Sequence, residues 1–118
     1  RLLQDHEGFG LTKIDRPFCF TTCKNDPKAA ADKFKKGIPP ECAGSCEHDF
    51  YKSGITLLRL AGVEVEEPPK ENSQNFSGID YNFGPKIIIK PSFGTTIKEI
   101  RSRFSGTNKI SYKSTLIL

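Results

Sequence analysis

An α/β layout that passes into an all-β run follows from three features of this 118-residue chain. Two stretches, 26–36 and 45–61, carry apolar residues at helical spacing between capping residues and glycine stops. Short β-branched runs fall between and after them, above all Lys86-Ile87-Ile88-Ile89-Lys90. From Lys109 onward, Ile110, Tyr112, Ser114, Leu116 and Leu118 alternate with Ser111, Lys113, Thr115 and Ile117. The resulting order is β-α-α-β-loop-β-α-β.

Each element has a local cause. Residues 1–5 read as the end of a helix, and 5–10 as loop. Residues 10–22 read as one or two strands, because Phe18-Cys19-Phe20-Thr21-Thr22 is aromatic and β-branched. Asn25 or Asp26 then caps a helix with Pro27 in its first turn and Ala29, Ala30, Ala31 and Phe34 in its body, ended by Gly37. Gly37-Ile38-Pro39-Pro40 is a rigid loop. Ser45 is expected to cap a second helix running to about Ala61, with Phe50, Leu57, Leu58 and Ala61 on its apolar face. After Gly62, Val63 to Glu66 alternates as a short half-buried strand. Residues 67–78, with Pro68-Pro69 and many polar residues, read as an exposed loop. Ile79–Phe83 and Lys86–Lys90 read as strands. Thr96-Ile97-Lys98-Glu99 is a capping box opening a helix whose face is Ile97, Ile100 and Phe104, with Gly106 as its stop.

Charge and cysteine content narrow the function. Eighteen Lys and Arg against 14 Asp and Glu give a mild excess of +4, scattered rather than clustered among aromatics, so a nucleic-acid face is not expected. No apolar run reaches transmembrane length, and no membrane association is expected. The chain opens on Arg1, contains no methionine and closes on an apolar alternating run, so it reads as a segment of a longer protein. Cys19 and Cys23, like Cys42 and Cys46, are four apart. Two CxxxC pairs on helices could staple a small secreted binding module, which is the alternative reading. On a strand, however, residues four apart are separated by about 13 Å, which defeats that geometry for the first pair. Zinc is disfavoured because the spacing is one residue longer than the usual CxxC knuckle. Four reduced thiols in a cytoplasmic protein is the preferred reading. His6 and His48 lack partners at metal or base spacing and read as surface residues. Asp49 near Glu47 reads as first-turn acid favoured by the helix dipole.

The residue that carries chemistry is Lys24. It stands at a strand end immediately before a helix N-terminus, where outward-aimed amides and a point charge together favour phosphate. Asn25 and Asp26 read as helix caps rather than ligands.

Several blocks of the sequence then acquire a common meaning. Lys24-Asn25-Asp26-Pro27 with Ala29-Ala30-Ala31, the stretch Leu58 to Pro68, Lys90-Pro91-Ser92-Phe93-Gly94, and Ile110-Ser111-Tyr112-Lys113-Ser114-Thr115 resemble, in order, the C-terminal portion of UDP-sugar pyrophosphorylases. Leu3-Gln4-Asp5 also fits. These enzymes are relatives of UTP–glucose-1-phosphate uridylyltransferase. The resemblance implies that residues 1–84 close a Rossmann-like nucleotidyltransferase domain. It implies that 85–108 connect to a left-handed β-helix domain beginning at Lys109, so that 85–118 form the second unit. It implies UTP and a sugar 1-phosphate as substrates, pyrophosphate as product, magnesium as cofactor, and Lys24 as a catalytic and substrate-binding phosphate contact. The family's glycine-rich nucleotide loop and its basic partner are absent from these residues, so the segment alone is expected to be inactive without the rest of the parent chain. Thr22 and Cys23 stand where relatives often carry small or apolar residues.

Overall fold

The computed structural model describes Gly8 and residues 10–118. The helix end expected over 1–5, and His6, lie outside the described residues. The first element is not a strand. Arg16–Cys19 form one helical turn, α1, closed by Phe18 N–H to Asp15 O at 3.0 Å and Phe20 N–H to Arg16 O at 2.9 Å. Residues 20–24 follow without strand pairing. Asp-Arg-Pro is a helix-start sequence, and Phe18 and Phe20 remain 40% and 52% exposed. Among the described residues, no buried sheet face competes for these aromatic residues.

The next two helices match the reading from sequence apart from one cap. Pro27–Lys35 form α2; Asp26 Oδ1 accepts the Lys28 and Ala29 amides at 2.9 and 3.0 Å. Gly37 leaves the helix at φ +70°, where glycine has no Cβ penalty. Helix α3 spans Ala43–Leu60 with Cys42, not Ser45, at the N-cap. Ser45 sits three residues further in, and its Oγ accepts the Cys42 amide at 2.9 Å. The serine supplies the reciprocal half of a capping arrangement.

The remaining chain builds three two-stranded sheets. Glu64–Val65 form β1. Residues 67–78 are exposed, as expected, but hold a 3-10 turn at Lys70–Asn72 and strand β2, Gln74–Phe76. That strand pairs antiparallel with β3, Ile79–Tyr81, across Ser77 and Gly78, whose φ values of 54° and 85° fit a tight hairpin turn of the I′ kind. Lys86–Ile88 form β4, and α4, Ile97–Ser102, opens with the expected capping box of Thr96 and Glu99.

The alternating run after Lys109 is two strands rather than one. Lys109–Ile110 form β5 and Thr115–Ile117 form β6, separated by a turn closed by Ser114 N–H to Ser111 O at 3.0 Å. Strand β5 pairs parallel with β1, matching Glu64 to Lys109. Strand β6 pairs parallel with β4, matching Ile87 to Leu116.

Two apolar clusters hold these pieces together. Leu58, Ala61, Val63, Val65, Ile87 and Ile100 join the C-terminal half of α3 to the parallel strands and α4. Fully burying a side chain such as Leu58 contributes about 1.5–3 kcal/mol. Ala30, Ile79, Tyr81 and Phe83 join α2 and the hairpin, with Tyr51 of α3 packed against them. Phe50, expected on the apolar face of α3, is 51% exposed. All four cysteines are free thiols, so the stapled-module alternative is not favoured.

Candidate phosphate-binding site around Lys24

Lys24 is exposed in the coil between α1 and α2, and the backbone fixes its position. Its amide donates to Glu41 O at 2.8 Å, and the Asn25 amide donates to the same carbonyl at 3.0 Å. Asn25 Nδ2 donates to Pro40 O at 2.8 Å. Asn25 is thus a staple onto the loop between α2 and α3, while Asp26 alone caps α2. The amides expected to face a ligand are already taken: those of Lys28 and Ala29 point at Asp26 Oδ1. What this junction offers an anion is the Lys24 charge rather than the helix terminus.

Glu41 is the residue that sequence reasoning missed. It adopts φ +49°, a left-handed conformation uncommon for a non-glycine residue. Its carboxylate lies 3.4 Å from Arg16 Nη2 through Oε1 and 3.4 Å from Lys33 Nζ through Oε2. The hydrogen bond from Lys33, aided by the nearby charges of Lys33 and Lys24 and the Arg16 contact, holds the Glu41 carboxyl below its ordinary value against the opposing effect of burial. Nothing in Pro39-Pro40-Glu41-Cys42 announces this, because the cations come from two other elements.

Arg16 and Glu41 also line a cavity of about 400 Å³, together with Thr21, His48, Asp49 and Tyr81 among others; Lys24 is not one of its lining residues. Thr21 Oγ1 donates to Asp49 Oδ2 at 3.4 Å, and His48 Nδ1 lies 3.7 Å from Asp49 Oδ1. His48 is half-buried rather than a free surface group, its ring 5.7 Å from that of Tyr81 and 5.8 Å from that of Phe83. Helical spacing places His48 and Asp49 near the hairpin, a proximity visible only once β2–β3 is recognised.

Beside this cavity, Cys42 Sγ and Tyr81 Oη are 3.5 Å apart. Burial opposes ionisation of Cys42, yet hydrogen bonding by Tyr81 and Ser45 holds its thiol below the ordinary value. Burial, then the Cys42 contact, pushes the Tyr81 phenol well above its own.

Among the described residues, no group of three or more His, Cys, Asp or Glu side chains could hold a metal ion. Among the same residues, no helix is long and apolar enough to cross a membrane.

Comparison with known proteins gives these features a context. The chain is 34% identical over 109 residues to a UDP-sugar pyrophosphorylase of Arabidopsis thaliana. It is 28% identical over 109 residues to UDP-sugar pyrophosphorylases of Oryza sativa subsp. indica and subsp. japonica. Each match covers 92% of this chain but 17% of the relative, so the chain spans about a sixth of the length of these relatives. No family model matches the chain, and no solved structure matches it. Over nine-tenths of its residues, the chain is similar in sequence to UDP-sugar pyrophosphorylases.

Proposed function

We propose that this chain is the C-terminal segment of a cytoplasmic UTP-dependent sugar-1-phosphate uridylyltransferase, in which Lys24 contacts phosphate oxygens. The observation that carries the reading is the 109-residue similarity to proteins named for that reaction. In the proposed reaction a sugar-1-phosphate oxygen bonds to the α-phosphorus of UTP. The bond from that phosphorus to its β-bridging oxygen breaks, and pyrophosphate departs. Negative charge grows on the transferring group and on the leaving group. A lysine fixed by its own backbone stabilises that charge without forming a bond to substrate. Magnesium, when bound, would shield the same phosphates, and it needs few protein ligands where the substrate phosphates themselves hold it.

The reading also accommodates the architecture. Residues up to 84 would complete a Rossmann-like catalytic domain. The two parallel pairings on either side of the 111–114 turn suit the first rungs of a left-handed β-helix. Leu11 and Ile14, 89% and 61% exposed, would be covered by the rest of the parent chain.

The test is Lys24→Ala in the full-length protein carrying this segment, assayed for UDP-sugar formation and for pyrophosphorolysis. Loss of a preorganised charge-stabilising donor costs on the order of 10²-fold in turnover. Lys24→Arg should restore part of it. Near-wild-type turnover in Lys24→Ala would refute the assignment.

A further inference from the structure

We infer that Arg16, Lys24 and Lys33 form a binding site for a phosphate-type oxyanion, occupied in the free chain by the carboxylate of Glu41. The inference rests on the reading of Lys24 as a phosphate contact and extends it to three further residues.

The geometry is that of a replaceable counter-ion. Both Glu41 contacts measure 3.4 Å, whereas a charge-assisted N–H···O bond settles near 2.7–2.9 Å. One carboxylate is shared between cations delivered from α1 and α2 and is drawn fully to neither. Three cations stand around this one carboxylate, and the next carboxylates, Asp49 and Asp80, belong to the wall of the adjoining cavity. A phosphate or pyrophosphate carries more charge and more acceptor oxygens, so it can draw these groups to normal hydrogen-bonding distance. Space adjoins the cluster, because Arg16 and Glu41 stand in the wall of the 400 Å³ cavity, whose lining also includes the acidic Asp49 and Asp80.

The backbone at Glu41 ties this exchange to Lys24. The carbonyl of Glu41 holds the Lys24 and Asn25 amides while the residue keeps a left-handed φ of 49°. Such a conformation persists where surrounding contacts over-determine it, and it concentrates at functional sites. Here the hydrogen bonds at the carbonyl and the two cations at the carboxylate hold the residue from both ends. When an oxyanion displaces the side chain, the carbonyl remains on Lys24 and keeps that lysine beside the bound anion.

The experiment titrates inorganic pyrophosphate into the full-length protein carrying this segment, isotopically labelled within these 118 residues, and follows amide and Glu41 carboxyl signals by NMR. Amide shifts are expected at Arg16, Lys24, Asn25, Lys33 and Glu41, with release of the Glu41 carboxyl resonance towards an unpaired value. Glu41→Gln should tighten pyrophosphate binding several-fold, and Lys33→Gln should weaken it several-fold. Asp32→Gln, on exposed α2 surface outside the cluster, should leave the affinity unchanged. Unchanged or weaker binding in Glu41→Gln would overturn the inference, and so would shifts centred elsewhere. An equal gain in Asp32→Gln would reduce the effect to net charge and overturn it as well. Failure of the uridylyltransferase reading is seen separately, as normal turnover of Lys24→Ala in the full-length protein.

Discussion

Replacing Gly54 by alanine tests how closely α3 packs on β4. Gly54 is buried within α3, and an ideal Cβ there would lie 2.9 Å from Ile87 O, 3.0 Å from Ile87 Cγ2 and 3.2 Å from Ile87 Cβ. Two effects oppose each other. Alanine is favoured over glycine in a helix interior by about 1 kcal/mol. Forcing a methyl group into a filled space costs about 1–3 kcal/mol. The upper end applies, because the nearest atom is a backbone carbonyl that cannot rotate away. Its neighbours are tied to β6 by Lys86 N–H to Ser114 O and Leu118 N–H to Ile88 O, both at 2.9 Å. Moving Ile87 therefore disturbs the parallel pairing on either side. The net expectation is a loss of about 2 kcal/mol. With a urea slope of about 1–2 kcal/mol/M, the unfolding midpoint followed by far-ultraviolet circular dichroism should fall by about 1–2 M. A midpoint that stays or rises would mean that propensity wins, and that α3 and β4 are not in the contact described.

Three other perturbations probe separate links. Cys42, although half-buried, should react with iodoacetamide at lower pH in the folded chain than in the urea-unfolded chain, and Tyr81→Phe should shift the folded profile upward. Its depressed thiol pKa contributes stability present above the unfolded value and lost as pH falls through the folded one; a Cys42 profile that is the same folded and unfolded refutes the contact. Thr96→Ala should cost about 1 kcal/mol in urea denaturation, because Thr96 Oγ1 accepts the Glu99 amide at 3.2 Å. Glu41 and Glu99 both have carboxyl pKa values lowered in the fold, the first chiefly by Lys33 and the second by the Thr95 amide. Each contributes stability that is present above its unfolded pKa and lost as pH falls through its folded one. Acid titration followed by NMR should show both midpoints below 4.5, and midpoints at or above that value refute the pairings.

Where a segment's structure has a local cause, it was legible in the sequence. Asp26-Pro27, the Thr96 to Glu99 box and Gly37 and Gly62 bound helices by chemistry internal to a few residues; α2 and α3 lie within a residue or two of expectation, whereas α4 starts as expected but ends at Ser102, short of Phe104 and Gly106. Where structure depends on distant partners, it was not. Phe18 to Thr22 has strand composition but no strand partner among the described residues, and the helix-start signal at Asp15 decides the first part instead. The run after Lys109 alternates without interruption, yet β5 finds its partner at Glu64 and β6 at Lys86, so a turn must intervene. The hairpin at 74–81 was obscured because its first strand is exposed on every residue and shows no apolar alternation. Lys24 stands out by its local context alone, whereas the contacts of Glu41 with Arg16 and Lys33 form only through tertiary structure.

Helix α3 explains why a site and a core can be tuned separately in so short a chain. Its N-terminal half brings Ser45, His48 and Asp49 to the cavity and meets an aromatic group of Tyr81, Phe83 and Phe76. Its C-terminal half carries Leu58 and Ala61 into the aliphatic cluster with Ile87 and Ile100. Gly44 and Gly54 mark the two close approaches, to the Tyr81 ring at 3.1 Å and to the Ile87 backbone at 2.9 Å. A ring edge can yield by a few tenths of an ångström, whereas a paired strand cannot without giving up hydrogen bonds. Ligand-dependent movement is therefore cheaper at the hairpin end, where the cavity lies, than at the parallel-strand end. The loop that carries Glu41 enters α3 at the yielding end. Exchange of its carboxylate for an oxyanion can then proceed while Leu58 and Ile87 keep their contacts.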